Sequence, residues 1–201
     1  MRDKYGVSND PYCWPGTTVL RNTLGIRDAT RLADAEAEFA AVALERIEIG
    51  APPFNLTYLC QLHHQLFGDV YSWAGEVRSV DISKGRTRFC TADRIVPEAN
   101  KVMEALDGID IQSNPWPIAL NLIAECFGEL NLIHPFRDGN GRALRLFFEH
   151  LLVLNGKSVD WNQVERDEWI TACIAAVECQ YKPLESIFER CISPLPGEEA
   201  P

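Results

Sequence analysis

A stretch of 15 residues carries most of the side chains in this sequence that could do chemistry together: IHPFRDGNGRALRLF, residues 133–147. His134 can accept a proton near neutral pH, and Asp138 is a carboxylate that can bind a metal ion. Arg142 and Arg145 are three positions apart, so they lie on neighbouring positions of one helix face. The segment therefore combines a base, a carboxylate and two cations around a Gly-Asn-Gly turn.

The Gly-Asn-Gly turn at 139–141 predicts a phosphate-binding site. Glycines allow positive φ angles and let a ligand approach the backbone closely. A helix that begins here presents unpaired amide groups and a partial positive charge, both of which attract phosphate. A carboxylate beside a phosphate is repelled unless a cation lies between them, so Asp138 indicates Mg²⁺. With His134 as the base, the arrangement predicts phosphoryl or nucleotidyl transfer.

A plain corner between two helices is the alternative explanation of this segment. The glycines would then only end one helix, Asp138 would cap the next, and the arginines would face solvent. Each residue taken alone favours that simpler explanation. The complete order disfavours it, because a corner needs neither two glycines around Asn140 nor a histidine before Pro-Phe. A zinc hydrolase is also disfavoured, since one His and one Asp are too few ligands.

Composition limits the class of protein. The chain has 201 residues, of which 46% are hydrophobic, and this suits one domain with a full core. A net charge of −10 disfavours general binding of nucleic acid. The seven cysteines lack zinc-ligand spacing and predict reduced thiols in a cytoplasmic protein. We find neither a signal peptide nor a membrane-spanning stretch, so no membrane association is predicted.

The elements that must position these residues are mostly helices. Asp28 and Asn55 are predicted to cap the first two helices, with Gly50 ending the first. The alternation of apolar residues around Ser-Lys-Gly predicts a β-hairpin, the one convincing strand pair. We predict a mostly α, single-domain protein with these parts: an N-terminal arm at 1–25, a helical domain at 26–192 with a hairpin near 77–90 and an active-site loop at 134–145, and a loose tail at 193–201.

The segment HPFRDGNGRALR resembles the complete signature of the Fic (filamentation induced by cyclic AMP) family, His-x-Phe-x-(Asp/Glu)-Gly-Asn-Gly-Arg-x-x-Arg. Upstream, LFGDVYSWAGEVRSVDISKG resembles the segment by which these proteins enter their flap hairpin. The stretch NDPYCWPGTTVLRNTLGI is similar to the arm of small bacterial Fic toxins. The resemblance covers roughly residues 5 to 192. It implies a single Fic-type helical bundle domain with one β-hairpin flap.

The resemblance also implies an activity, the transfer of AMP from ATP to a protein hydroxyl with release of pyrophosphate. His134 would deprotonate the target side chain. Asp138 would hold Mg²⁺ between the α- and β-phosphates. Phe136 would anchor the loop in the core. ATP is thus the implied co-substrate and Mg²⁺ the implied cofactor.

Further roles follow from the same resemblance. Gly139, Asn140 and Gly141 would form an anion hole for the phosphates. Arg142 would contact the β-phosphate region, and Arg145 would reach the γ-phosphate. The flap would clamp the target protein as an added β-strand. The implied flap residues are Val80, Asp81, Ile82, Ser83, Lys84 and Gly85.

Two family variants refine these expectations. The relative that acts as a kinase has Ala and Lys in place of Gly139 and Arg142, so this chain favours AMP transfer. Many Fic proteins carry an inhibitory helix with Ser/Thr-x-x-x-Glu-Gly/Asn, whereas no Glu here precedes Gly or Asn. The chain therefore resembles the class inhibited by a separate small antitoxin, whose Glu would pair with Arg145.

The resemblance implies a toxin acting on the ATPase subunits of DNA gyrase and topoisomerase IV. Two alternatives stay open. The same machinery could use another donor, such as UTP or CDP-choline, because the nucleobase pocket is not readable from the sequence. The domain could also be a non-catalytic module that keeps a nucleotide pocket.

Overall fold

A computed structural model describes residues 10–109 and 111–195, and within these ranges the chain is mostly helical, as predicted. The α-helices of the described ranges are α1 (Ala29–Leu44), α2 (Leu56–Phe67), α3 (Ile95–Asp107), α4 (Trp116–Ile133), α5 (Asn140–Leu154), α6 (Arg166–Val177) and α7 (Lys182–Cys191). Their short strands are β1 (Ser83–Lys84), β2 (Thr87–Arg88), β3 (Lys157–Val159) and β4 (Ile192–Pro194).

The centre of the core is formed by α4 and α5. Helix α4 packs against α3, α5, α6 and α7, while α5 also packs against α2. The Phe127 ring of α4 contacts Phe148 of α5 and Phe188 of α7, with ring centroids 5.1 and 5.4 Å apart. The first pair is tilted and the second edge-to-face, and such aromatic contacts add to the hydrophobic stabilisation of the core. Because the loop at 134–139 connects these two central helices, both of its ends are fixed by the core.

The first two helices begin where the sequence predicts. The Asp28 side chain accepts a hydrogen bond from the Arg31 amide at 2.9 Å. The Asn55 side chain accepts one from the Tyr58 amide at 3.0 Å. Each bond satisfies an amide group that the helix itself leaves without an acceptor. Both predicted caps are confirmed.

Helix α1 is shorter than predicted, and much of its surface is exposed. It ends at Leu44, so the prediction that Gly50 ends it is wrong. The β-branched residues Ile47 and Ile49 favour extended backbone over helix in the intervening segment. Its buried residues include Leu32, whereas three of its large apolar residues are exposed: Phe39, Val42 and Leu44.

Two antiparallel strand pairs occur in the described residues, one of which the sequence did not predict. The predicted hairpin is confined to β1 and β2, and Gly85 at its turn has a φ of +60°. Strands β3 and β4 pair with Ser158 opposite Ser193. The first residues of the predicted loose tail are therefore part of a sheet, and residues 196–201 lie outside the described ranges. Three-residue strands give too weak a pattern to be recognised.

The described part of the N-terminal arm packs against the active-site loop; residues 1–9 lie outside it. The Asp10 carboxylate forms an ion pair with Arg137, and the side chains are only 3% and 1% exposed. The Arg137 Nε donates to Asp10 Oδ2 at 2.6 Å. Burial lowers the pKa of Arg137 to about 10, so the guanidinium stays charged near neutral pH. The pair therefore links the arm to the loop.

All seven cysteines lie in the described ranges as free thiols, in agreement with the predicted reduced state. A search of the described residues for a helix long and apolar enough to cross a membrane finds none.

Candidate active site

The loop between α4 and α5 is a tight turn closed by its own side chains. His134, directly after α4, adopts the left-handed conformation with a φ of +51°. Asn140 closes the other end, because its Oδ1 accepts from the Phe136 amide and its Nδ2 donates to the Phe136 carbonyl, both at 2.8 Å. The Phe136 ring is 1% exposed, so it anchors the loop as predicted. The loop therefore holds His134 in one orientation.

The His134 imidazole is set up to accept a proton. Its Nδ1 lies 2.9 Å from the Asn131 carbonyl, and a carbonyl only accepts, so Nδ1 carries the proton. In the neutral ring the lone pair is then on Nε2. Burial lowers the pKa of His134 to about 4, which keeps the ring neutral near pH 7. The ring stacks on Phe89 of the segment after β2, with centroids 3.9 Å apart. This geometry suits a general base.

His63 on α2 supports the loop through contacts with Phe136 and Asp138, a role that was not predicted from the sequence. Its Nδ1 accepts from the Gly75 amide at 2.9 Å, so Nε2 carries the proton and donates to the Asp138 carbonyl at 2.9 Å. The ring also stacks on Phe136 at 3.9 Å. Burial lowers the pKa of His63 to about 4 and keeps this neutral form. No pattern in the sequence indicates this role, because both hydrogen-bond partners are distant in the chain.

The two glycines of the turn have different roles. Gly139 has a φ of +76°, and a Cβ there would lie 2.5 Å from a ring atom of Phe67. A Cβ at Gly141 would meet nothing within 4 Å. Between them α5 begins. The Arg142 and Ala143 amides donate to the Gly139 carbonyl at 3.1 Å, whereas the amides at the very start of a helix have no acceptor within it. Gly139 therefore permits the close packing of the turn, while Gly141 borders open space at the helix end.

Arg142 is held by groups from two other helices. It forms an ion pair with Glu36 of α1, and its guanidinium lies 4.5 Å from the centroid of the Phe67 ring on α2. Glu36 also accepts a hydrogen bond from the Tyr71 hydroxyl. Burial is the main cause that raises the pKa of Tyr71, with the charge of Glu36 second, so this hydroxyl stays protonated and donates. Glu36 and Tyr71 were both missed by the sequence analysis, since neither belongs to a recognisable motif.

Arg145 differs from Arg142 in its surroundings. Its guanidinium carbon lies 6.0 Å from the centroid of the Trp161 ring. Over residues 10–109 and 111–195, none of the ion pairs within 4.0 Å involves Arg145. Burial, followed by the charge of Arg142, lowers the pKa of Arg145. An anionic ligand would offset both effects, so Arg145 is suited to bind phosphate.

Residues of the loop and of the start of α5 line one cavity of about 890 Å³, which is within the usual size of small-molecule sites. The structure brings together every residue predicted from the motif: His134, Asp138, Gly139, Asn140, Gly141, Arg142 and Arg145. Lys84 and Gly85 of the hairpin form one wall. Helix α6 forms another, with Trp169, Ile170 and Ile174. The cavity thus has a charged end for phosphates and an apolar wall for a ring.

The remaining predicted flap residues do not line this cavity. Ile82 is 2% exposed and packs with Phe89, and the Asp81 carboxylate accepts from the Ala92 amide at 2.8 Å. Val80 packs on the same small cluster, and Ser83 is half-buried in β1. These residues hold the base of the flap.

The cavity contains one carboxylate, Asp138, that could bind a metal ion whose other ligands come from a bound nucleotide. Asp138 lines the cavity beside Arg142 and Arg145, and its Oδ1 accepts from the Gly139 amide at 2.8 Å. The described residues contain no cluster of three or more His, Cys, Asp or Glu that could hold a metal ion on its own. Mg²⁺ typically uses one or two carboxylates together with substrate phosphates, so this donor set suits a Mg²⁺–nucleotide complex.

Fold and site together define a small, mostly helical protein whose central loop places an imidazole, a carboxylate and two arginines on one cavity. The Fic/DOC family profile matches residues 53–152. The "Probable protein adenylyltransferase Fic" of Salmonella typhimurium is 37% identical over 199 residues, spanning 96% of this chain and 97% of the relative. The protein adenylyltransferase VbhT of Bartonella schoenbuchensis is 39% identical over 85% of this chain but only 36% of its own length. The chain belongs to the Fic/DOC family.

Solved structures agree with this assignment. The BepC protein of Bartonella tribocorum with bound AMPPNP has a TM-score of 0.82 and 27% identity, covering 91% of this chain and 96% of that chain. The N-terminal Fic domain of a Bep effector from Bartonella quintana with bound ADP has a TM-score of 0.83 and 25% identity, over 92% of this chain and 95% of that chain. The Fic-type fold is therefore confirmed.

Proposed function

We propose that the protein transfers AMP from ATP to a hydroxyl side chain of a target protein. The observation that carries the proposal is the cavity itself, in which His134, Asp138, Arg142 and Arg145 meet at one end. A base beside a cluster of phosphate-binding groups is what nucleotidyl transfer to a hydroxyl requires. The names of the relatives and the nucleotides bound by BepC and the Bartonella quintana domain support the same activity.

The proposed reaction is a displacement at the α-phosphorus of ATP. The target hydroxyl oxygen forms a bond to that phosphorus while its proton passes to Nε2 of His134. The bond to the oxygen that bridges the α- and β-phosphates breaks, and pyrophosphate leaves. Arg142 and Arg145 bind the departing phosphates, and the amides at the start of α5 stabilise the charge on them. Mg²⁺, held by Asp138, would neutralise phosphate charge when bound.

The donor base is proposed from the apolar wall of the cavity. Trp169, Ile170 and Ile174 present flat and branched apolar groups, which suit a purine ring. A different donor such as UTP or CDP-choline remains the alternative within this reading. Competition of each nucleotide with a fluorescent ATP analogue distinguishes the donors without depending on the target.

A non-catalytic nucleotide-binding module is the second class of function. Such a module would bind ATP, and replacing His134 would change none of its effects on the cell. The position of His134 favours the enzyme, because its imidazole lines the cavity together with Asp138, Arg142 and Arg145, and a binding module needs no base there.

We extend the proposal to a role as a toxin and to the regulation of that toxin. Arg145 lines the cavity and is suited to accept a carboxylate in place of a phosphate. We propose that a small antitoxin supplies a Glu to Arg145 and so blocks the γ-phosphate position. The proposed targets are the ATPase subunits of DNA gyrase and topoisomerase IV. Expression without antitoxin should slow growth, and His134→Ala should restore it. A complex in which Arg145 contacts no partner carboxylate would refute the regulatory proposal.

Intact-mass spectrometry tests the activity directly. A purified gyrase ATPase subunit is incubated with the protein, ATP and Mg²⁺, beside His134→Ala and His64→Ala variants. We expect the mass to rise by one AMP with the wild type and with His64→Ala, because His64 is exposed and lies outside the loop. His134→Ala should give no shift. Modification by His134→Ala at the wild-type rate would exclude His134 as the base.

A further inference from the structure

Arg78 lies buried between the end of α4 and the base of the flap, with only 2% of its surface exposed. Its Nε donates to the His134 carbonyl at 2.9 Å, and its Nη2 donates to the Ile133 carbonyl at 3.2 Å. Its Nη1 donates to the Val80 carbonyl at 2.6 Å, and Nη2 also donates to the Cys90 carbonyl. One guanidinium thus joins the catalytic histidine to both ends of the flap segment.

Only arginine fits this position well. The guanidinium presents five N–H groups in a rigid plane, whereas lysine offers one ammonium on a flexible stem. Its charge faces the carbonyl end of α4, where the helix dipole is negative. The four carbonyl contacts replace the hydration that the buried charge loses.

Main-chain and ring contacts join the same two parts. The Arg78 amide donates to the Pro135 carbonyl at 2.9 Å, and the Cys90 amide donates to the Leu132 carbonyl at 3.2 Å. The Phe89 ring stacks on the imidazole of His134. His134 has a left-handed backbone, which non-glycine residues adopt only when their surroundings hold them there. A hydrogen bond to its own carbonyl is one such constraint.

We propose that Arg78 is a positioning residue that holds the imidazole of His134 at a fixed position relative to the flap. The inference rests on the proposed function, because the flap is taken to present the target hydroxyl to His134. Arg78 itself touches neither the nucleotide cavity nor the reacting atoms, since it is absent from the cavity lining. It acts through the peptide groups of Ile133 and His134 on one side and those of Val80 and Cys90 on the other.

The test is Arg78→Lys, which keeps the charge but not the planar set of donors. We expect kcat for AMP transfer to fall about 100-fold, as misplacement of a reacting group by about 1 Å does. The Kd for ATP should change less than about twofold, because the phosphate-binding groups stay in place. Arg46→Lys is the matched control: Arg46 is exposed near the end of α1, and its replacement should leave kcat and Kd unchanged.

A second readout separates this inference from the proposed activity. NMR signals of the His134 imidazole should shift in Arg78→Lys, while those of His64 and His150 should not. This comparison needs no target protein. If the wild type transfers no AMP, the proposed function is wrong, but the NMR comparison still tests the positioning role of Arg78. The inference is overturned if Arg78→Lys keeps wild-type kcat or unshifted His134 signals. It is equally overturned if the variant is unfolded or loses ATP binding in parallel with activity.

Discussion

Single residues in the loop show how far identical residue types can differ in their effect. Gly139 and Gly141 are equivalent in the sequence pattern. In the structure a side chain at position 139 would collide with Phe67, and one at position 141 would meet open space. Gly139 also needs a left-handed backbone, which a residue with a Cβ adopts at a cost of about 1–2 kcal/mol.

Gly139→Ala should therefore lower the free energy of unfolding by about 1–3 kcal/mol and abolish measurable AMP transfer. The physical reason is the combined strain of the backbone and the contact with Phe67. Urea unfolding followed by tryptophan fluorescence measures the first effect, and the intact-mass assay measures the second.

Gly141→Ala is the matched control for this prediction. Because position 141 is inside α5 and open, alanine should leave the free energy of unfolding unchanged or raise it, by at most about 1 kcal/mol. A loss of stability in Gly141→Ala equal to that in Gly139→Ala would contradict the different roles of the two glycines.

At the scale of elements, α1 contributes to the site through one carboxylate on a largely exposed helix. Glu36 pairs with Arg142 of α5 and accepts from Tyr71, which follows α2. These bonds join three segments that no sequence pattern connects. The cap at Asp28 predicted where α1 begins, but the role of the Glu36 carboxylate was not predictable from the sequence of the helix.

A double-mutant cycle of Glu36→Ala and Tyr71→Phe should measure the coupling in this network. Each single variant should lose about 1–3 kcal/mol of stability, because a buried or half-buried polar partner is left without its bond. The double variant should lose about 1 kcal/mol less than the sum, since both changes remove the same hydrogen bond. Strictly additive losses would show that the Tyr71 hydroxyl and Glu36 do not interact in solution.

At the scale of the whole molecule, buried histidines make stability depend on pH, because burial lowers the pKa values of His63, His134 and His150. Burial lowers the pKa values of His63 and His134 to about 4, below the value of about 6.5 expected in the unfolded chain. Between these values the unfolded chain binds more protons than the folded one. The free energy of unfolding must therefore fall as the pH drops from about 6.5 to about 4, by on the order of 3 kcal/mol per histidine.

Urea unfolding at pH 7 and pH 4.5 checks this expectation in His63→Gln beside the control His64→Gln. The loss of stability on acidification should be smaller in His63→Gln, because one buried titrating group is gone. His64→Gln should retain the wild-type loss, since His64 is exposed. Equal losses in both variants would show that His63 does not contribute to the pH dependence.

The sequence by itself determined the active-site loop. His134, Asp138, Gly139, Asn140, Gly141 and the two arginines lie within 12 residues, so their relative positions follow from one turn and one helix start. The caps at Asp28 and Asn55 and the hairpin around Gly85 were readable for the same reason. All of these features depend on contacts between near neighbours in the chain, which leave a pattern in the sequence.

Only the tertiary structure decided what holds that loop in place. Asp10 reaches Arg137, Glu36 reaches Arg142 and Arg78 reaches His134, across separations of 127, 106 and 56 residues. Strands β3 and β4 likewise depend on a partner that is distant in the chain. Such contacts arise only when helices pack and bring remote side chains together, and a charged residue looks the same in sequence whether it faces solvent or a buried carbonyl. The loop was therefore predictable, whereas the residues that hold its geometry were not.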